Sequence, residues 1–243
     1  MNYYISDTHF GHKNIIGFDC RPFRNTLEME QTLIKNWNSR VTKEDVVYIL
    51  GDFCWSKEKS DWLKILDQLN GSKYLIRGNH DLKNFPAEVK NKFCQITDYK
   101  EITDNGKRII MSHYPIMFYR SSYGNDVWHF CGHTHNRTAE EYKRKEYVLD
   151  LIKNRKQDFD NKGHIINVGC MMDYMGYTPR TADELIDWWN DYYKRVHRMG
   201  RLIDVDKLIE EVDRVINYTP RGDIPPTAQD ILDIIEKAPI VQN

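Results

Sequence analysis

The sequence predicts an α/β fold on three observations: short apolar runs recur, each stops at a polar or glycine-rich turn, and helical patterns separate the early ones. The first run is Tyr3-Tyr4-Ile5, followed by a helical pattern carrying Leu27, Glu30, Leu33, Ile34 and Trp37. Val46 to Leu50 reads as the next strand, and Trp62, Leu63, Ile65, Leu66 and Leu69 as the next helix. Tyr74-Leu75-Ile76 completes this alternating half. From about Ile96 to Val168 there are fewer helical spacers and hairpin-like turns such as Asp104-Asn105-Gly106, so mixed or antiparallel pairing is expected of the runs Ile109–Met111, Val127–Phe130 and Ile165–Val168. A helix is expected from about Thr181 to Val196.

The composition changes near Met199-Gly200, which divides the chain into a main domain, 1–198, and a helical C-terminal appendage, 199–243. Val205, Leu208, Ile209, Val212 and Ile216 fall near one helix face, and a second helix is expected to start at Thr227. Such faces need a surface to pack on, so a homo-oligomer formed through these helices is one expectation.

With 243 residues, 40% hydrophobic and 12% aromatic, the chain is long enough to bury a substantial core. Lys+Arg 35 against Asp+Glu 36 leaves a net charge of −1, so no global field draws it to nucleic acid or an anionic membrane. The 5 cysteines are scattered without a CxxC pair, which suits reduced thiols and a cytoplasmic location. No leader or membrane span is expected, because Met1 runs quickly into Ser6-Asp7-Thr8-His9 and no later stretch is apolar enough.

Metal-type side chains sit where the apolar runs stop, the place an open α/β sheet collects ligand-binding groups. They are Asp7-Thr8-His9, Gly51-Asp52, Gly78-Asn79-His80-Asp81, His113 after Ser112, and Gly132-His133-Thr134-His135. Carboxylate, imidazole and amide without thiolate suit hard and borderline divalent ions. Gly51, Gly78 and Gly132 each directly precede one of these residues and permit close backbone approaches.

These blocks, D-x-H, G-D, G-N-H-D, a lone H and G-H-x-H in this order, resemble the calcineurin-like metallophosphoesterase superfamily over roughly residues 1–190. Asp7-Thr8-His9-Phe10-Gly11-His12 with Asn167-Val168-Gly169 is similar to its small bacterial and phage branch. The resemblance implies a four-layer α/β/β/α sandwich of two mixed sheets flanked by helices. It further implies that Asp7, His9 and His135 hold one metal ion, Asn79, His113 and His133 a second, and Asp52 both. His80 would be the acid for the leaving oxygen, with Asp81 orienting its imidazole. Two ions roughly 3.5–4 Å apart clamp phosphoryl oxygens and activate a bridging hydroxide for in-line attack. Mn²⁺ is expected first, with Fe²⁺, Zn²⁺, Ni²⁺ and Co²⁺ as substitutes.

Other residues carry weaker signals. His12 and Arg21 are candidate substrate contacts, each weighed against an ordinary loop residue. Ser112 lacks a nucleophile-elbow setting and reads as structural, as do His129 and His164. The basic residues between Lys143 and Lys156 are interleaved with acids and read as a solvated face. The expected activity is hydrolysis of a small phosphoester or nucleotide, a diester before a monoester or nucleic-acid ends. The reading from another class is a metal-binding scaffold with a helical docking tail.

Overall fold

The computed structural model describes residues 1–116, 119–122, 124–135 and 164–200. The appendage from residue 201 and the basic residues between Lys143 and Lys156 lie outside them. The chain divides into two compact units, Met1–Arg144 with Asp158–Ile186, and Lys145–Gln157 with Asp187–Asn243.

The first unit contains two four-stranded sheets. Strands β1 (Asn2–Ile5), β2 (Val46–Ile49), β3 (Ser72–Ile76) and β4 (Gln95–Thr97) pair in that order, every pair parallel. Parallel neighbours require a crossover, and helices supply it: α1 (Ile15–Phe18) and α2 (Thr26–Arg40) before β2, α3 (Lys59–Leu66) before β3, α4 (Ala87–Lys90) before β4. α2 begins where Asn25 accepts a hydrogen bond from the Glu28 N–H at 2.9 Å.

In the second sheet β5 (Tyr99–Asp104) runs antiparallel to β6 (Lys107–Ser112), while β6, β7 (Val127–Cys131) and β8 (Ile165–Asn167) are parallel. Two residues close the hairpin, Asn105 at φ 45° and Gly106 at φ 78°, the positive pair that a type I′ turn demands. Of the two sheets expected to be mixed, only this one is. The first is parallel throughout because each of its connections carries a helix.

The sheets meet along β1. The Tyr4 ring packs edge-on to Phe130 at 4.9 Å, and its hydroxyl donates to Asp104 Oδ2 at 2.6 Å. Beyond the strand, Ser6 N–H donates to Val168 O at 2.8 Å and Cys170 N–H to Ser6 O at 2.9 Å. The carboxyl ends of β1 and β8 therefore lie side by side, and the loops that follow β1, β2, β3, β6 and β7 converge.

α5 (Ala182–Gly200) opens with a capping box in which Glu184 accepts from Thr181 N–H at 2.9 Å while Thr181 Oγ1 lies 3.4 Å from Glu184 N. The boundary expected at 198/199 falls inside this helix.

Candidate metal centre

Asp7 and His9 follow β1, Asp52 follows β2, Asn79 follows β3, His113 follows β6, and His133 and His135 follow β7. Asp7 is fully buried, Asp52 is 1% exposed and His9 2%. One ligand atom from each of Asp7, His9, Asp52 and His135 lies within 4.8 Å of all the others. His9 Nε2 stands 3.3 Å from His135 Nε2 and 3.6 Å from Asp52 Oδ2. The same Asp52 oxygen is 3.5 Å from His113 Nε2, which is 3.0 Å from Asn79 Oδ1. His133 donates its backbone N–H to both carboxylate oxygens of Asp7, and its ring is 5.1 Å from that of His113.

The outward nitrogens decide what the inward ones can do. His113 Nδ1 lies 2.8 Å from Leu50 O, and a carbonyl only accepts, so Nδ1 carries a proton, which in the form a metal ligand must take leaves the Nε2 lone pair turned inward. His135 Nδ1 lies 3.0 Å from the Asp19 carboxylate, with the same result for its Nε2. Lone pairs therefore point at Asp52 and Asn79 in one case, and at Asp7 and His9 in the other. Acceptors converging on acceptors suit a divalent cation, and those of Asp7, His9, Asp52 and His135 do so in a buried space.

The electrostatics agree. Burial pushes the His9 imidazole down, followed by the effect of His135, so it stays neutral. Burial pushes the Asp52 carboxyl up, against the opposing pull of His113. For His135 burial acts downward, but the bond to Asp19 and the charges of Asp7 and Asp19 carry the net shift upward, which makes its nitrogen the better donor.

The backbone is bent to hold this geometry. Asp7, His9, Asp52, His133 and His135 all take positive φ, at 54°, 49°, 51°, 70° and 40°. Left-handed backbone at a non-glycine residue costs on the order of 1–3 kcal/mol and gathers at functional sites. At Gly132 a Cβ would strike Ser6 Oγ and lie 2.5 Å from Asp7 Oδ2. At Gly78 it would strike Asp52 Oδ1 and lie 2.5 Å from Asp52 N.

Residues 2–181 match the calcineurin-like phosphoesterase superfamily domain. The chain belongs to this superfamily. Metal-dependent phosphoester hydrolysis is accordingly its class of activity, and the buried Asp and His cluster is where a divalent ion fits. The chain is 42% identical over 141 residues to an uncharacterized protein of Methanocaldococcus jannaschii, covering 58% of this chain and 72% of that protein. It is 38% identical over 82 residues to the gene 66 protein of Mycobacterium phage L5, covering 32% of this chain and 39% of that protein. A crystal structure of a protein of unknown function from Aquifex aeolicus is similar at a TM-score of 0.50 and 29% identity, over 77% of this chain and 98% of that one.

In the calcineurin-like fold of this chain, His80 sits beside the cluster, its ring 5.7 Å from that of His9 and its N–H donating to Asp52 Oδ1 at 2.8 Å. Three other residues depart from expectation. The Asp81 carboxylate accepts from the backbone N–H groups of Asp52, Phe53 and Gly78 at 3.0, 2.9 and 2.8 Å. Burial pushes its carboxyl up to about 6. Asp81 thus braces the Asp52 turn against the Asn79 turn, and among the described residues no hydrogen bond joins it to the His80 ring.

Arg21, expected to reach substrate, is buried and turned inward. It pairs with Asp19 at 2.9 Å and donates to the carbonyls of Asp7 at 2.8 Å and Thr8 at 3.0 Å. His12, the other expected substrate contact, is 7% exposed and stacked on Trp55 at 3.7 Å between nearly parallel rings. Asp19 and Trp55 escaped the sequence reading, since neither lies in a motif and Asp19 meets His135 across 116 residues.

Proposed function

We propose that this chain is a dinuclear phosphodiesterase in which Asp7, His9 and His135 hold one ion, Asn79, His113 and His133 a second, and Asp52 both. The observation that carries the reading is the placing of Asp52 Oδ2 between His9 Nε2 and His113 Nε2, at 3.6 and 3.5 Å. A single oxygen facing histidines of both groups is what a shared ligand requires. The donor set favours Mn²⁺, with Fe²⁺, Zn²⁺, Ni²⁺ or Co²⁺ able to replace it. Divalent ions, when bound, supply positive charge for the phosphoryl oxygens and lower the pKa of water.

The chain's own residues supply the rest. Hydrolysis forms one phosphorus–oxygen bond from water and breaks the bond to the leaving oxygen. His80 gives that oxygen its proton, and the resulting imidazole recovers one from solvent. This assistance matters most for a poor alkoxide leaving group, which favours a diester over an activated monoester. The Arg21–Asp19 pair holds the Asp7 loop and the His135 ring in place. A small phosphoester or nucleotide fits a chain of net charge −1 better than a long nucleic acid. A cytoplasmic setting accords with the reduced thiols of Cys54, Cys94, Cys131 and Cys170. No helix among the described residues is long and apolar enough to cross a membrane.

Bis-p-nitrophenyl phosphate, p-nitrophenyl phosphate, 2′,3′-cyclic nucleotides and single-stranded DNA, each assayed with added Mn²⁺, separate the substrate classes. Diester turnover is expected to lead. Monoester turnover exceeding it by about a hundredfold, some 2.7 kcal/mol of transition-state preference, would overturn the assignment. His80→Ala should keep close to two ions per chain by metal analysis while losing about 10²–10⁴-fold in turnover. Loss of the metals themselves would contradict this division of roles.

A further inference from the structure

We infer that Trp55, backed by His12, is the positioning residue for the His80 imidazole. The inference rests on the reading of His80 as the proton donor and asks what aims that ring. Asp81 does not, because its carboxylate is committed to three backbone N–H groups. Among the described residues no hydrogen bond reaches either ring nitrogen of His80; its tethers are backbone ones, N–H to Asp52 Oδ1 at 2.8 Å and C=O from Lys57 Nζ at 2.8 Å. These fix the main chain and leave the side-chain torsions open.

An aromatic neighbour closes them. The Trp55 ring lies 4.8 Å from the His80 ring at 45°, and 6.4 Å from that of His9. His12 covers the indole at 3.7 Å and 3°, itself anchored by its N–H to His9 O at 3.0 Å. The Trp55 main chain is held by its N–H to Phe10 O at 2.9 Å. Trp55 is 39% exposed, so it stands at the rim of the centre rather than in the core. A large residue half in water, held from behind by a buried histidine and leaning on the acid, restricts that acid's rotamers by contact area rather than by charge.

The test uses the full chain loaded with Mn²⁺ and aryl phosphodiesters graded from 2,4-dinitrophenol to phenol as leaving group. Trp55→Ala and Trp55→Leu should lose about tenfold to a hundredfold on the phenyl ester, as expected of a misplaced group. On the dinitrophenyl ester, where proton donation matters little, the loss should stay within about threefold. Trp55→Phe should restore most of the phenyl-ester rate, and Trp55→Ala added to His80→Ala should cost nothing more. Independently of activity, the carbon-bound ring protons of His80 and His12 should lose their upfield ring-current shifts in the NMR spectrum of Trp55→Leu loaded with diamagnetic Zn²⁺ in place of Mn²⁺, with metal content unchanged. A loss equal for all leaving groups, additive losses in the double variant, or unmoved His80 resonances would each overturn the role of Trp55. A His80→Ala variant indifferent to the leaving group would overturn the donor reading and this inference together; a steep His80→Ala with a flat Trp55→Ala would overturn this inference alone.

Discussion

At the scale of single residues, the least conspicuous member of the centre is Asp19, which touches no substrate-facing group. Its carboxylate bonds both His135 Nδ1 and the Arg21 guanidinium, so it fixes a tautomer and shares its charge with a proposed ligand. Asp19→Asn keeps the shape and removes the charge. We expect metal affinity to fall about 10–100-fold, as it does when carboxylate partners of ligating histidines are changed. Mn²⁺ titration by calorimetry reads this directly, and an affinity within about twofold of the parent would mean that Asp19 only packs. The grouping of Asp7, His9, Asp52, Asn79, His113, His133 and His135 was legible in the sequence because each follows an apolar run, and strand ends converge by topology. Asp19 was not, because its partner is 116 residues away, and burial turned Arg21, His12 and Asp81 from the tasks their positions suggested. Composition says which groups can bind; only packing says which way they face.

Single elements show the same division. In α2 the apolar pattern included Leu27 and Ile34, yet Met29, Leu33 and Trp37 form the buried face and Leu27 is 61% exposed. Spacing at i, i+4 and i+8 marks a stripe, but Leu27 lies in the first turn, where the helix emerges from the Asn25 cap into solvent. Met29→Ala should therefore cost about 2–5 kcal/mol in urea unfolding, and Leu27→Ala within about 0.5 kcal/mol of nothing. Equal effects would mean that the helix is rotated. The strands with apolar runs and the Asn105-Gly106 hairpin were legible, since both signals are local. β4, Gln-Ile-Thr, and β5, Tyr-Lys-Glu-Ile-Thr-Asp, carry mostly polar residues and are identified by their sheet partners rather than by their own composition.

On the scale of the whole molecule, the two sheets contribute unequally to the proposed centre. The parallel sheet supplies Asp7, His9, Asp52 and Asn79 from its loops, and the mixed sheet supplies His113, His133 and His135. No single stretch of chain holds a complete donor set, so the unfolded chain has no comparable site and metal binding must couple to folding. Ligand bound only by the native state stabilises it by about 2.7 kcal/mol at a hundred times its Kd. For a chain of this size that is roughly 5–11 °C in Tm. Chelation should lower the Tm by that order, and Mn²⁺ should restore it. Asp52→Asn should melt at nearly the same temperature with and without Mn²⁺, because the residue that faces both histidine groups has lost its charge. A parent protein whose Tm ignores chelation would show that the sheets are joined without help from the ion, through contacts such as Tyr4 with Phe130 and Asp104. In that case the left-handed backbone at Asp7, His9, Asp52, His133 and His135 would be held by packing alone, and a metal would find its cradle already rigid.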